Sequence, residues 1–108
     1  GLSKKELLMG DFSRKSLDED KIVLGLAELP GWEFEADAIF KVFTFGSFRE
    51  AMSFMVRVGF EAESMDHHPE INNVYSRVRI TLNTHDAGNQ VTELDLELAR
   101  RINKLSWI

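Results

Sequence analysis

Cysteine is absent from the 108-residue chain, which removes disulfide frameworks, thiolate metal sites and cysteine nucleophiles together. Proline occurs only twice, and no Pro/Gly-rich stretch or internal repeat marks a linker between domains. A surplus of positive charge is missing as well. Thirteen Lys and Arg against eighteen Asp and Glu leave a formal net charge of −5, and the basic residues are scattered apart from Arg100, Arg101 and Lys104. A nucleic-acid binder needs a clustered basic face, so direct DNA or RNA binding is not expected. No apolar run approaches the roughly 20 residues that span a bilayer. The opening Gly1-Leu2-Ser3-Lys4-Lys5 lacks the apolar core of a signal peptide. The expectation is no membrane association and a reducing, cytoplasmic setting.

What is present suits one folded domain. Hydrophobic residues make up 44% of the chain and charged residues 29%, enough for a single core and unlike a disordered segment. Residues 1–15 show no clear period and read as a loosely ordered lead-in. A single domain should occupy 16–108.

Within that domain Ser16 and Glu19 have the spacing of a capping box, with Ser16 as N-cap. The helix behind them should run to about Leu29, turn Ile22, Val23, Leu26 and Leu29 inward, and stop at Pro30-Gly31. Trp32 to Glu35 and Ala38 to Phe45 are rich in aromatic and β-branched residues, and Ala36-Asp37 between them makes a hairpin. Ile39, Lys41, Phe43 and Phe45 should share one face; Phe40, Val42 and Thr44 share the other, apolar enough to suggest a subunit partner.

Ser47 with Glu50 opens a second capping box, and the helix after it is the strongest periodic signal. At about 100° per residue, Phe48, Ala51, Met52, Met55, Val58, Ala62 and Met65 form one broad stripe. Phe54, Val56 and Phe60 flank it as a possible contact surface. Glu63 lies on the flank of the stripe, where a carboxylate needs a partner. Ile71 to Tyr75 and Val78 to Thr84 read as strands joined by a turn at Ser76-Arg77, with Val78, Ile80, Leu82 and Thr84 facing the helices. Thr92 with Asp95 makes a weaker capping-box start for a last helix lined by Leu94, Leu98, Ile102 and Leu105. The order is α-β-β-α-β-β-α: an α+β, two-layer fold with a four-stranded antiparallel sheet covered by helices on one face.

The chemistry-bearing residues gather in two short stretches. Only three histidines exist, His67, His68 and His85, and imidazole is the side chain suited to both acid and base work near neutrality. Asp66 precedes the adjacent pair, Pro69 biases His68 toward extended backbone, and Glu63 lies about one helical turn earlier. The bland alternative is a pair of surface histidines in a turn. A metal reading competes, since three histidines with a carboxylate suit zinc or iron. Yet no HExxH is present, and adjacent side chains on extended backbone diverge. No Gly-x-Ser-x-Gly or Gly-rich phosphate loop occurs. Spacing alone therefore stops at a possible acid–base site.

The run Asp66-His67-His68-Pro69-Glu70, then Asn73-Val74-Tyr75, Val78, Ile80-Thr81-Leu82 and Thr84-His85, resembles the signature of the pterin-4a-carbinolamine dehydratases. That family is also known as dimerisation cofactors of a homeodomain transcription factor. Gly31-Trp32, Ile39-Phe40-Lys41, Phe54-Met55, Arg57-Val58 and Leu94-Asp95-Leu96 fit as well, so the resemblance spans about residues 16–105. It implies dehydration of 4a-hydroxytetrahydropterin to quinonoid dihydropterin, in tetrahydrobiopterin recycling, with no metal or organic cofactor. By position it implies His67 and His85 as the acid–base pair and His68 as the residue that positions the pterin. Asp66 and Glu63 would orient the imidazoles, while Asn83, Thr84 and Asp86 would complete the substrate pocket. It also implies a homodimer or homotetramer, and a transcription-factor partner reachable in the nucleus if the chain acts instead as a binding module. Ile71 stands where family members often carry Trp, which would remove aromatic stacking on the substrate.

Overall fold

The computed structural model describes residues 14–105. Most of the expected lead-in therefore lies outside the described residues, as do 106–108. Among the described residues three α-helices and four strands follow the expected order. They are α1 (Glu19–Leu26), β1 (Glu33–Glu35), β2 (Ala38–Thr44), α2 (Phe48–Met65), β3 (Glu70–Val74), β4 (Arg77–Leu82) and α3 (Glu93–Leu105). No helix among the described residues is long and apolar enough to cross a membrane.

The sheet is antiparallel throughout, in the order β1-β2-β4-β3. The β1–β2 hairpin closes through Ala36 and Asp37, both at positive φ (52° and 60°), the twist a two-residue hairpin loop requires. Cross-strand partners point to the same face, so Ile39 with Leu82 and Phe43 with Val78 define one side. These four are buried, as is Ile80. On the opposite face Val42 is 45% exposed, and Arg79 lies over the Phe40 ring at 4.2 Å. The described helices therefore cover one face only.

The strands shift by one or two residues at their ends, and three boundaries depart from the sequence reading for an identifiable reason. Asp18, not Ser16, caps α1: its side chain accepts from the Lys21 N–H at 2.9 Å. Leu17 N–H is already committed to Val91 O at 2.9 Å, which holds residues 16–17 in the preceding link. The helix ends at Leu26 rather than Leu29, because Glu28 N–H and Leu29 N–H turn to the carbonyls three residues back. Val23, expected inside, is 57% exposed. The β3–β4 turn sits at Tyr75-Ser76, one residue early. Tyr75 takes φ 51°, and the Asn73 amide donates to the carbonyls of Tyr75 and Arg77.

The largest correction concerns the phase of α2. Its buried line is Ala51, Phe54, Val58, Ala62 and Met65, whereas Phe48 and Met52 are 47% and 43% exposed. Phe54, read as a flank residue, is fully buried between Phe43 and Phe45, with ring centroids 4.7 and 4.9 Å away. The Ser47 cap itself stands, accepting from Glu50 N–H at 3.1 Å. On the far side of the core Trp32 Nε1–H and Lys41 Nζ both donate to Asn103 Oδ1. This ties the hairpin to α3, and burial lowers the Lys41 pKa.

Candidate active site

Helix α2 ends at Asp66, which takes a left-handed conformation (φ 50°, ψ 43°) as C-cap. That kink separates the two imidazoles that follow. His67 turns inward and is 6% exposed; His68 turns outward, with its side chain 61% exposed. Beyond β4, Thr84 bridges to Gln90, and His85–Ala87 form a single 3₁₀ turn closed by Gly88 at φ 72°. This short corner brings His85 back toward the end of α2.

One cleft of about 260 Å³ receives all three histidines. Its wall is built from Arg14, Asp66, His67, His68, Asn83, Thr84, His85 and Asp86. Seven of these were expected from sequence. Glu63 stands just outside the wall and reaches it through His68, whose Nε2–H donates to Glu63 Oε2 at 3.0 Å. Ile71 is not on the wall; it sits on β3 opposite Ile80, facing the helix layer. Among the described residues no group of three His, Asp or Glu side chains is placed to hold a metal ion.

The residue that sequence reasoning missed as functional is Asp95. It is completely buried in the first turn of α3. Its Oδ2 accepts from Thr92 N–H and from Thr84 Oγ1–H, both at 2.9 Å. Its Oδ1 lies 2.5 Å from His67 Nε2. A buried carboxylate is tolerable only when its lone pairs are engaged, and here three donors converge on it. The Thr92–Asp95 capping box was therefore visible, but its carboxylate serves the imidazole as well. A capping aspartate buried beside a histidine-containing signature is the signal that would have found it.

Two rings are thus each held by one nitrogen. His67 donates through Nε2 to Asp95, which leaves Nδ1 to meet a ligand. His85 donates through Nδ1 to Asn89 Oδ1 at 3.3 Å, leaving Nε2. An imidazole with one nitrogen anchored has its tautomer set and its other nitrogen available to give or take a proton.

Comparison with known proteins gives this arrangement a family. The model of pterin 4 alpha carbinolamine dehydratase matches residues 15–105. The chain belongs to the pterin-4-alpha-carbinolamine dehydratase family. A protein of Opitutus terrae named as a member is 63% identical over 83 residues, 77% of this chain and 86% of its own. One of Mesorhizobium japonicum is 50% identical over 84% of this chain and 94% of its own length. Among solved structures, a transcriptional coactivator/pterin dehydratase from Brucella melitensis is 40% identical. It superposes with a TM-score of 0.81, over 85% of this chain and 99% of that one. A pterin dehydratase-like protein described as a RuBisCO assembly factor in the alpha-carboxysome is 27% identical, with a TM-score of 0.58 over 70% of this chain and 87% of its own. The matched region contains every described cleft residue except Arg14.

Proposed function

We propose that this chain dehydrates 4a-hydroxytetrahydropterins to quinonoid dihydropterins by histidine acid–base catalysis, as needed to recycle tetrahydrobiopterin. The observation that carries the reading is the shared cleft: the adjacent His67 and His68 and the remote His85 line one cavity in a member of the dehydratase family.

The chemistry is balanced within the substrate. The C4a–O bond breaks as a protonated imidazole delivers a proton to the hydroxyl, which leaves as water. The N5–H electrons become the C4a=N5 double bond as a neutral imidazole takes that proton. One acid and one base on the same ring system suffice, and no metal or organic cofactor enters. His67 and His85 form this pair, while His68, exposed and held by Glu63, positions the pterin with Asn83, Thr84, Asp66 and Asp86.

Carbinolamine generated by an aromatic hydroxylase should lose water faster in the presence of the chain. His67→Ala and His85→Ala should each remove most of that acceleration, a loss of about 100- to 10,000-fold. Unchanged rates in both variants would reject the reading.

The partner in our reading is a second copy of the same chain. Phe48, Met52, Val56 and Phe60 lie four residues apart along α2 and are 43–72% exposed, a continuous apolar ridge that water alone covers poorly. On the helical wheel Arg49 near one end and Glu63 near the other fall on the same strip. An antiparallel pairing of two such helices would set opposite charges together. Light scattering should show a dimer or larger, reduced to monomer by Val56→Asp with Phe60→Asp; a monomeric parent chain would dispose of this assembly.

A further inference from the structure

Among the described residues, Arg14 is the one cleft residue outside the matched family region, and it sits in a stretch of sequence without periodicity. Its placement is nevertheless specific. Leu17 N–H donates to Val91 O at 2.9 Å, and Leu17 packs on the core, so the segment before α1 is laid against the loop that carries His85. Arg14 Nη1 then reaches Asp86 Oδ2 at 3.4 Å. Among the described residues that line the cleft, Arg14 is the only side chain of fixed positive charge.

We propose that Arg14 is a positioning residue that reads the C4 carbonyl oxygen of the pterin ring, an assignment that rests on the dehydratase reading. The pyrimidinone edge of a pterin presents two kinds of group. Its 2-amino and N3–H groups donate, and its O4 accepts. An acceptor for the donor edge is present in Asp86, which lines the wall. Donors for O4 are scarce. Thr84 Oγ1–H is spent on Asp95, His67 Nε2–H on Asp95, His68 Nε2–H on Glu63 and His85 Nδ1–H on Asn89. Apart from the proton that the catalytic imidazole delivers, the side-chain donors that remain among the described lining residues are the Asn83 amide and the Arg14 guanidinium.

Of these two, the guanidinium carries charge and presents five N–H groups in one plane, so it can hold Asp86 and a ligand oxygen at once. The pair it makes with Asp86 is long and open to solvent, with side chains 39% and 67% exposed. Such pairs contribute little, so a ligand oxygen meets little resistance in reorienting the guanidinium.

The test compares two ligands that differ at C4. A 7,8-dihydropterin carries the carbonyl oxygen there; a 2,4-diaminopteridine carries an amino group that a guanidinium repels. Dissociation constants for both are measured by fluorescence titration on the full chain, on Arg14→Gln and on Arg14→Lys. The preference for the 4-oxo ligand should fall about fivefold in Arg14→Gln, as expected for one partly exposed charge-assisted hydrogen bond. Arg14→Lys, which keeps the charge, should recover part of it. Equal weakening of both ligands, or an unchanged ratio, would overturn the assignment, because a merely structural role does not distinguish the group at C4. If the unsubstituted chain dehydrates carbinolamine and Arg14→Gln keeps the ratio, Arg14 alone is wrong. If the unsubstituted chain neither binds pteridines nor dehydrates carbinolamine, the dehydratase reading falls and this assignment with it.

Discussion

Asp95→Asn is expected to slow carbinolamine dehydration by about 100- to 10,000-fold while leaving the fold in place. The substitution keeps size and shape. The amide oxygen of Asn can replace Oδ2, accepting from Thr92 N–H and Thr84 Oγ1–H as the carboxylate does. The α3 cap therefore survives. The amide nitrogen then occupies the place of Oδ1, against His67 Nε2. Two donors cannot share that contact, so Nε2 must become the acceptor and the ring proton must move to Nδ1. In the proposed mechanism that is the nitrogen that exchanges the proton. The variant would present a fixed donor where catalysis needs a site that changes state.

This result separates the catalytic from the structural part of Asp95. Thermal melting of Asp95→Asn should stay close to that of the parent, because the cap bonds persist, while the rate collapses. Nitrogen chemical shifts of the His67 ring should show the neutral tautomer inverted. A variant that folds, inverts the tautomer and still dehydrates within about threefold of the parent would remove His67 from the proton path. A variant whose rate falls only in step with its loss of folded protein would make Asp95 a capping residue and nothing more.

The element order was readable because the signals were of different kinds: capping residues, a period of two, and a period of 3.6. Phase and partnership were not. Helix α2 has apolar residues on two adjoining strips, Ala51-Phe54-Val58-Ala62-Met65 and Phe48-Met52-Val56-Phe60, and a wheel shows only their union. Which strip faces the sheet depends on the crossing of α2 over β4, a tertiary fact. The α1 start failed for a related reason, since Leu17 is drawn away by Val91, far along the chain. The histidines were legible from their own sequence context. Asp95 was visible only as a cap, because its contact with His67 spans 28 positions. Arg14 lies 72 positions from Asp86, and nothing local marks it.

The misread phase of α2 leads to the largest expected change in stability. Phe54→Ala should destabilise the domain by about 3–5 kcal/mol, the usual range for deleting a fully buried phenyl ring. For a domain of this size, 1 kcal/mol moves the melting temperature by about 4–8 °C, so the loss should reach about 12–40 °C. The cost has two parts. Apolar surface loses its shelter from water, and a cavity opens between Phe43 and Phe45, whose rings both pack on Phe54. Neither neighbour can collapse into the space easily. Phe43 is also held edge-on to Trp32, and Trp32 is fixed to Asn103 by its indole N–H. Leu24→Ala is the control: Leu24 is 71% exposed on α1, and its truncation should stay within about 0.5 kcal/mol. Calorimetry of the two variants decides the matter. Comparable melting temperatures would mean that α2 turns its other strip to the sheet, with Phe48 and Met52 inside, and the end of that helix would no longer deliver His67 to Asp95.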